Sequence, residues 1–150
     1  MAFDSNTWKP PVLFHFQVEF QWSGNKASAS FAEVDGLEHE LVFDGNVESA
    51  KIEFPKSIKT RHVILKRALE PIDEKVTVWV KNTFRFMYSG SIKPCNMTVS
   101  LLDEKNNIIA SWICMRSIPV KWSLNSLNAA ESKIAIETIT LKYEEIRRSK

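Results

Sequence analysis

The sequence has little of what disulfide-stapled, metal-bound or phosphate-binding domains require. Its 150 residues include only two cysteines, three histidines and four glycines. Cys95 and Cys114 lie 19 positions apart with no CxxC motif, so neither zinc-ligand spacing nor a redox motif is present, and buried free thiols are expected rather than a disulfide. Gly-rich phosphate loops, Gly-x-Ser-x-Gly and His-Glu-x-x-His are absent. We therefore predict no metal, no cofactor and no enzyme activity of these motif-defined kinds.

Strong charge of one sign and long apolar runs are also missing. Lys and Arg number 20 against 18 Asp and Glu, which gives a net charge of +2 and a pI of about 8.5. A generic nucleic-acid-binding domain is expected to be more basic, with a pI above about 9. No run approaches the roughly 18 apolar residues of a membrane span, and residues 1–8 lack the basic start of a signal peptide. We expect cytoplasmic synthesis without a signal peptide and no stable membrane association.

What is present is enough apolar material for one core. Hydrophobic residues make up 44% of the chain, and a domain of this length buries roughly 68–70% of its unfolded surface. We interpret residues 1–150 as a single domain. Residues 1–11 are expected to form an N-terminal arm, and residues 44–59, which are polar and basic, an exposed loop.

The clearest pattern runs over residues 12–22, where all six even positions are apolar and four of the five odd positions are polar. A period of two predicts a long strand with one buried and one solvated face. Val63, Leu65 and Leu69 share a face in another predicted strand, although Arg67 sits among them. The further strands are predicted at residues 29–34, 37–43, 61–69, 97–102, 108–115, 118–124 and 132–143. In the last of these the apolar positions change parity, which predicts a bulge or burial of both faces.

One segment has helical spacing instead. Ile72, Val76, Trp79, Val80, Thr83 and Met87 recur at intervals of three and four, and Pro71, Asp73 and Glu74 stand near the start, where a helix favours them. We predict the only helix at about residues 72–87. The predicted fold class is mainly β, a barrel or sandwich of antiparallel strands with one α-helix.

The residues bear on three functional classes: an enzyme, a carbohydrate-binding module and a structural subunit. Glu38-His39-Glu40 is the nearest approach to an acid–base cluster, but on a strand it alternates faces and is more typical of a solvated surface. Trp22 and Trp122 lie on apolar strand faces, so core burial explains them better than stacking against sugars in a carbohydrate-binding module. A structural subunit fits best, because long alternating strands aggregate unless a partner pairs their edges.

An ordered series of short motifs resembles the tail tube proteins of contractile phages and of phage-tail-like contractile injection systems. FHFQVE at residues 14–19 and FAEVDGL at residues 31–37 are similar to the family pattern FxFxVE…FsEVsGL. In order there follow ILKR (64–67), WVKNT (79–83), VSLLDE (99–104), PVKW (119–122), LNA (127–129) and IAIETITL (134–141). Ala68 replaces an expected glycine, and residues 44–59 lack the Gly-rich and MPG-like segments of relatives. The resemblance covers nearly the whole chain.

This resemblance implies a structural subunit. Its β-barrel assembles as a six-fold ring, and rings stack into a hollow inner tube that sheath contraction drives through a target envelope. The implied partners are further copies of the chain, a contractile sheath protein, baseplate or tube-initiator proteins and a cap. A cargo effector or DNA occupies the lumen without sequence-specific binding. The implied location is the bacterial cytoplasm, then a phage tail or tail-like particle that is extracellular after lysis.

Two sets of residues are candidates for assembly contacts. The odd positions of the first strand would face the lumen: His15, Gln17, Glu19 and Gln21. Lys51, Lys56 and Lys59 in the exposed loop would meet acidic residues of an adjacent ring. Two alternatives stay open, a baseplate-proximal tube initiator of the same fold and a carbohydrate-binding β-sandwich.

Overall fold

The computed structural model describes residues 14–43, 54–59, 62–131 and 133–150, and this part of the chain is mainly antiparallel β-sheet. The elements in chain order are β1 (His15–Trp22), β2 (Asn25–Phe31), β3 (Glu33–Asp35), β4 (Leu41–Val42), β5 (Ser57–Ile58), β6 (His62–Ala68), α1 (Lys75–Phe84), α2 (Phe86–Ser89), β7 (Cys95–Leu102), β8 (Ile108–Leu124), β9 (Ile136–Lys142) and β10 (Glu145–Arg148). The mainly β fold class is confirmed.

Eight strands form one hydrogen-bonded sheet, seven of them in the order β2-β1-β7-β8-β9-β6-β3, and the eighth, β10, pairs with β8 off this path. The first part of β8 pairs with β7 and β10, and its last part pairs with β9. We call β2, β1, β7, β10 and the first part of β8 the front sheet, and β9, β6, β3 and the last part of β8 the back sheet. Within the described residues no pairing joins β2 to β3, so hydrogen bonds leave the barrel open on that side.

Strand β8 is one element of 17 residues, so the prediction of two strands at 108–115 and 118–124 was wrong. Arg116 lies between them with a φ of +49°, and its backbone N–H donates to the Asn96 side-chain oxygen at 3.1 Å. The chain therefore changes direction at Arg116 without leaving the sheet. This bend carries β8 from the front sheet to the back sheet.

The hairpin between β1 and β2 is tighter than the sequence suggested. Ser23 and Gly24 both have positive φ, +41° and +80°, and Trp22 pairs directly with Asn25. Two central residues with positive φ make the two-residue turn that matches the twist of a hairpin. Because the turn is complete at Gly24, β2 begins at Asn25, and the prediction of one strand over residues 29–34 was wrong in its bounds; β3 follows separately.

The even positions of β1 enter the core, as predicted. Val18 and Phe20 are fully buried, and they pack between the two sheets with apolar side chains from β6, β7 and β9. Helix α1 closes this core through Val76, Trp79 and Val80, which are also buried. The centroid of the Trp79 ring lies 5.8 Å from that of Phe20.

The predicted single helix is two helices. Glu74 is extended (φ −64°, ψ 140°), and its carboxylate accepts from the backbone N–H groups of Val76 and Thr77, so α1 begins only at Lys75. The helix ends at Phe84, and α2 follows after Arg85. Ile72 and Met87, the outermost members of the predicted helical stripe, are exposed. The predicted helix therefore began too early, and it ran through the break at Arg85 that separates α1 from α2.

Other bounds differ where the pattern was weak. Only β4 forms within the predicted strand 37–43, and β5 lies inside the predicted loop 44–59, of which residues 44–53 lie outside the described part. Strand β9 begins at Ile136 and pairs with β6 without interruption, so the bulge, one of two alternatives predicted for residues 132–143, was wrong. The other alternative, burial of both faces, is met in part, because Ile136, Thr138 and Thr140 on the second face are partly buried. The register shift lies across from it, in β8 between Pro119 and Lys121. Strand β10 was not predicted.

Candidate functional site

The odd-numbered residues of β1 lie on a polar face that extends over the whole front sheet. Directly opposed residues of neighbouring strands share a face, and the register places Glu19 beside Ser28 of β2 and Thr98 of β7. We call this the polar face; it comprises Lys26, Ser28, Ser30, His15, Gln17, Glu19, Gln21, Asn96, Thr98, Ser100, Leu102, Ile108, Ser111, Ile113, Met115, Glu145 and Arg147. Of these, Ser100, Leu102 and Ser111 are buried. The structure thus brings together His15, Gln17, Glu19 and Gln21, as the alternation predicted.

The polar face is balanced in charge and rich in small hydroxyl groups. Its charged members are Glu19, Lys26, Glu145 and Arg147, two of each sign. The Glu19 carboxylate lies 3.2 Å from the Lys26 ammonium. The hydroxyls of Ser100 and Ser111 lie 3.0 Å apart and satisfy each other where β7 meets β8. A surface of this kind binds neither anions nor cations strongly over its area.

The sheet leaves two strand edges open at its front. Within the described residues, β2 pairs only with β1 and β10 pairs only with β8. A strand edge carries a row of backbone N–H and C=O groups that must be paired or solvated. These two edges flank the polar face and are suited to strand pairing with another chain.

A small hairpin, β4–β5, contains two of the three predicted ring-stacking lysines. Lys59 Nζ lies 3.9 Å from the Glu40 carboxylate, and Lys56 also has a partner. The backbone N–H groups of Lys56 and Lys59 donate to the carbonyl oxygens of Val42 and Glu40. Lys51 lies outside the described residues. Within one chain these lysines therefore stabilise their own hairpin.

The same hairpin exposes large apolar side chains. Phe54 is 97% exposed, and its neighbours in the hairpin are Leu41, Phe43 and Ile58, each at least half exposed. Several exposed large apolar side chains in one short segment are typical of a contact surface.

A buried cluster of charged side chains joins α1 to the back sheet. Arg67 is 4% exposed and Glu137 1% exposed. Arg67 Nε donates to Glu137 at 2.9 Å, and its Nη2 donates to Glu74 at 2.8 Å and to the Thr77 hydroxyl at 3.2 Å. Trp122 Nε1 donates to the second Glu137 oxygen at 2.6 Å. We call Arg67, Glu74, Thr77, Trp122 and Glu137 the arginine cluster.

The arginine cluster is structural. Burial lowers the pKa of Arg67, but hydrogen bonds to Glu74 and Glu137 outweigh this and raise the pKa above its usual value. Burial raises the pKa of Glu74, but the hydrogen bonds from Arg67 and from the backbone of Val76 and Thr77 lower it overall. Both groups are therefore charged at neutral pH, and the salt bridges hold the N-terminus of α1 on β6 and β9.

The sequence contains a signal for this cluster. Arg67 shares the buried parity of Val63 and Leu65, and Glu137 shares that of Ile139 and Leu141. Two opposite charges on the buried faces of two strands predict an ion pair, because an unpaired buried charge is costly. The parity change near residue 136 has the same origin, since Ile136 points outward and Glu137 inward.

Neither residues 38–40 nor the Trp side chains are arranged as catalysis or sugar binding would require. Residues 38–40 are exposed and lie in the connection between β3 and β4 rather than on a strand. Trp22, Trp112 and Trp122 are partly buried and pack against the core. Among the described residues no group of three or more His, Cys, Asp or Glu is placed to hold a metal ion. No helix of the described part is long and apolar enough to span a membrane.

The two cysteines are free and buried, as predicted. Burial raises the pKa of each thiol to about 12, and the neighbouring Cys114 adds to the effect on Cys95. Because the thiolate is the reactive form, neither cysteine is expected to react with a thiol reagent such as DTNB at pH 8 in the native protein. Both should react in guanidinium chloride. Rapid modification of the folded protein would contradict this prediction.

Comparisons with known proteins give one family, from the family model, and one fold, from solved structures. A family model described as T4-like virus tail tube protein gp19 matches residues 12–147. A chain in the cryo-EM structure of the anti-feeding prophage baseplate is 20% identical with a TM-score of 0.75, and the alignment covers 95% of this chain and 97% of that one. A chain of the extended sheath–tube complex of an extracellular contractile injection system, PVC, is 15% identical, with a TM-score of 0.74 and 99% of both chains covered.

More distant structures share the fold. Hcp1 from Flavobacterium johnsoniae is 11% identical with a TM-score of 0.56, and the alignment covers 88% of this chain and 94% of that one. No curated protein sequence matches significantly. The conclusion on family therefore depends on the family model, which spans nearly all of the chain.

Proposed function

Because the chain belongs to the T4-like tail tube protein family, we propose that it forms six-fold rings that stack into the hollow inner tube of a contractile injection system or phage tail. The family is one of structural tube proteins, which points to a protein without catalytic activity. The single observation that carries the proposal is the polar face, a broad, charge-balanced sheet surface flanked by two open strand edges. In this proposal residues 1–150 act as one tail-tube domain.

The polar face forms the wall of the lumen. His15, Gln17, Glu19 and Gln21 then line the channel, and their hydroxyl-bearing neighbours on β2 and β7 line it beside them. Because the charged residues of the face balance, the wall neither retains nor repels a passing chain strongly. Such a lining suits passage of a cargo effector or DNA without sequence-specific binding.

Ring closure pairs the open edges. Strand β2 of one subunit lies beside β10 and the adjoining part of β8 of its neighbour, so that the front sheets join into one closed barrel. Closure satisfies the backbone groups of both edges and removes the aggregation hazard that they pose. We expect an obligate interface, for which buried areas above about 2,000 Å² are usual.

The β4–β5 hairpin and the arm over residues 1–11 contact the adjacent ring, with Lys51, Lys56 and Lys59 near acidic residues of the next subunit. Deletion of residues 45–54, which removes Lys51 and Phe54, is expected to leave rings intact and to prevent long tubes. Negative-stain electron microscopy and light scattering measure this directly. Tubes of normal length in the deletion variant would contradict the assignment.

An inner tube has further partners around it and at its ends. A sheath protein surrounds the tube and, when it contracts, drives the tube through a target envelope. Baseplate and cap proteins bind the two ends of the tube. In this proposal the protein is made in the bacterial cytoplasm and becomes part of a particle that is extracellular after lysis. A tube initiator is a second candidate, because a chain of a baseplate structure shares the fold.

Size-exclusion chromatography with light scattering and negative-stain microscopy test the proposal. Six-fold rings that polymerise into hollow tubes are expected of a main tube subunit, whereas rings that never polymerise alone would favour an initiator. A stable monomer that does not assemble, even when supplied with preformed tube ends, would overturn the proposal. Glycan-array binding by such a monomer would instead favour a carbohydrate-binding module.

A further inference from the structure

A cavity of about 680 Å³ lies beside the β1–β2 turn and the outer side of α1. Trp22 and Trp79 form part of its lining, with their ring centroids 5.8 Å apart. The indole N–H of Trp79 donates to the Lys93 carbonyl oxygen at 2.8 Å, which ties the segment after α2 to the helix. The cavity is therefore held in shape by the core beneath it.

The rim of this cavity is basic. Lys26, Lys75 and Lys93 line it, against a single acidic residue, Asp73. Lys26 is paired with Glu19 at 3.2 Å, but Lys75 and Lys93 form no ion pair with another described residue. Two exposed lysines thus line an open cavity in which Asp73 is the one acidic residue, and neither lysine is within ion-pair distance of a described carboxylate.

At the other end of the front sheet, the turn between β7 and β8 is ordered by Asp103 and exposes the carboxylate of Glu104. Between β7 and β8, the Asp103 carboxylate accepts the backbone N–H groups of Lys105 and Asn107, each at 2.9 Å. Glu104 and Lys105 at the tip are exposed, and Glu104 has no ion pair with another described residue. Because Asp103 already orders the turn, docking it costs little conformational entropy.

The register places the cavity and the turn at opposite ends of the subunit. Gln21, next to the β1–β2 turn, pairs with Asn96, while His15 pairs with Leu102, next to the β7–β8 turn. Six residue steps separate these pairs, a length of roughly 20 Å along the strands. A contact between two different surfaces repeats head to tail and builds an open stack rather than a closed dimer.

We propose that the β7–β8 turn of one subunit docks into the lysine-rimmed cavity of a second copy in the next ring, with Glu104 against Lys75 and Lys93. Lys105 then lies near Asp73, so both signs of charge find partners. This contact is separate from the β4–β5 hairpin, and it rests on the proposed function. Each subunit repeats it, so weak surface ion pairs add up across a ring junction.

Charge reversal tests the contact. Glu104→Lys and Lys93→Glu are each expected to leave rings unchanged by light scattering and to shorten the median tube about tenfold in micrographs. The double variant K93E/E104K restores opposite charges and should recover most of the wild-type length. Lys121→Glu, on the outer side of the back sheet, is the matched control and should leave tube length unchanged. Single variants with wild-type tubes, or a double variant no longer than the singles, would overturn the proposal.

Crosslinking gives a second, independent readout. The native cysteines are buried, so a Lys93→Cys/Glu104→Cys variant places the accessible thiols only at the proposed contact. Mild oxidation is expected to give ladders of disulfide-linked chains from assembled tubes, and none from either single variant. Tubes that assemble but give no ladder would overturn this contact while leaving the tube function intact; failure of the wild-type chain to form rings would instead count against the proposed function.

Discussion

Replacing Arg67 with methionine is expected to lower the free energy of unfolding by about 3–5 kcal/mol, the usual cost of breaking a buried ion pair from one side. Methionine fills most of the space, but the carboxyl group of Glu137, 1% exposed, loses its counter-charge. Glu74 loses the hydrogen bond that fixes it at the start of α1. Urea unfolding followed by circular dichroism at fixed protein concentration measures the loss, and the thermal midpoint should fall by about 10–15 °C.

Two further variants show whether the loss of stability comes from burial of the ion pair or from loss of any ion pair. Arg116 also pairs with a glutamate, Glu144, at 3.1 Å, but both side chains are exposed. Arg116→Met is therefore expected to cost less than about 1 kcal/mol. The double variant R67M/E137Q removes the unpaired charge, while the amide oxygen of the introduced glutamine still accepts from Trp122, so it should be more stable than R67M alone. A loss for R67M no larger than that for R116M would contradict the assignment.

Replacing Gly36 with alanine is the second change with a large expected effect. Gly36 follows β3 with a φ of +92°, and an added Cβ would collide with the backbone carbonyl of His62 at the start of β6. Positive φ alone costs a non-glycine residue about 1–2 kcal/mol. The collision is with backbone rather than with a movable side chain, so we expect a total loss of about 3 kcal/mol or more.

Gly24 is the matched control for Gly36. Its φ is +80°, yet an added Cβ would meet nothing within 4 Å. Gly24→Ala should therefore show the conformational cost alone, about 1–2 kcal/mol, in the same urea titration. Equal losses for the two variants would show that the approach of residues 36 and 62 is looser than described.

Several helices and strands could be predicted because the spacing of apolar residues in the sequence matches the side chains that the fold buries. The alternation in residues 12–22 assigned the buried and polar faces of β1 correctly, since a strand has only two faces and water selects between them. Strands β6 and β7 and the presence of a helix around residues 75–84 followed from the same reasoning. The ordered motifs identified the family, which the family model confirmed over residues 12–147.

Other features depended on contacts that no local pattern records. The bend at Arg116 needs the Asn96 side chain from another strand, and the start of α1 needs a glutamate that is also held by Arg67. Strand β10 is short, and only its pairing with β8 makes it a strand. The lysine-rimmed cavity draws on residues from 22 to 93, so periodicity within one segment could not reveal it.

The sequence by itself determined the class of protein, a mainly β tail tube subunit, and which side chains of β1 face the core. The β class and the faces of β1 follow from short-range periodicity, because hydrophobic burial acts on each strand separately, whereas the tail tube family follows from the resemblance of the ordered motifs to that family. The tertiary structure alone decided the pairing of Arg67 with Glu137, the two open edges beside the polar face, and the opposite placement of the basic cavity and the β7–β8 turn. Such relations depend on strand order and register, which arise only when distant segments pack together.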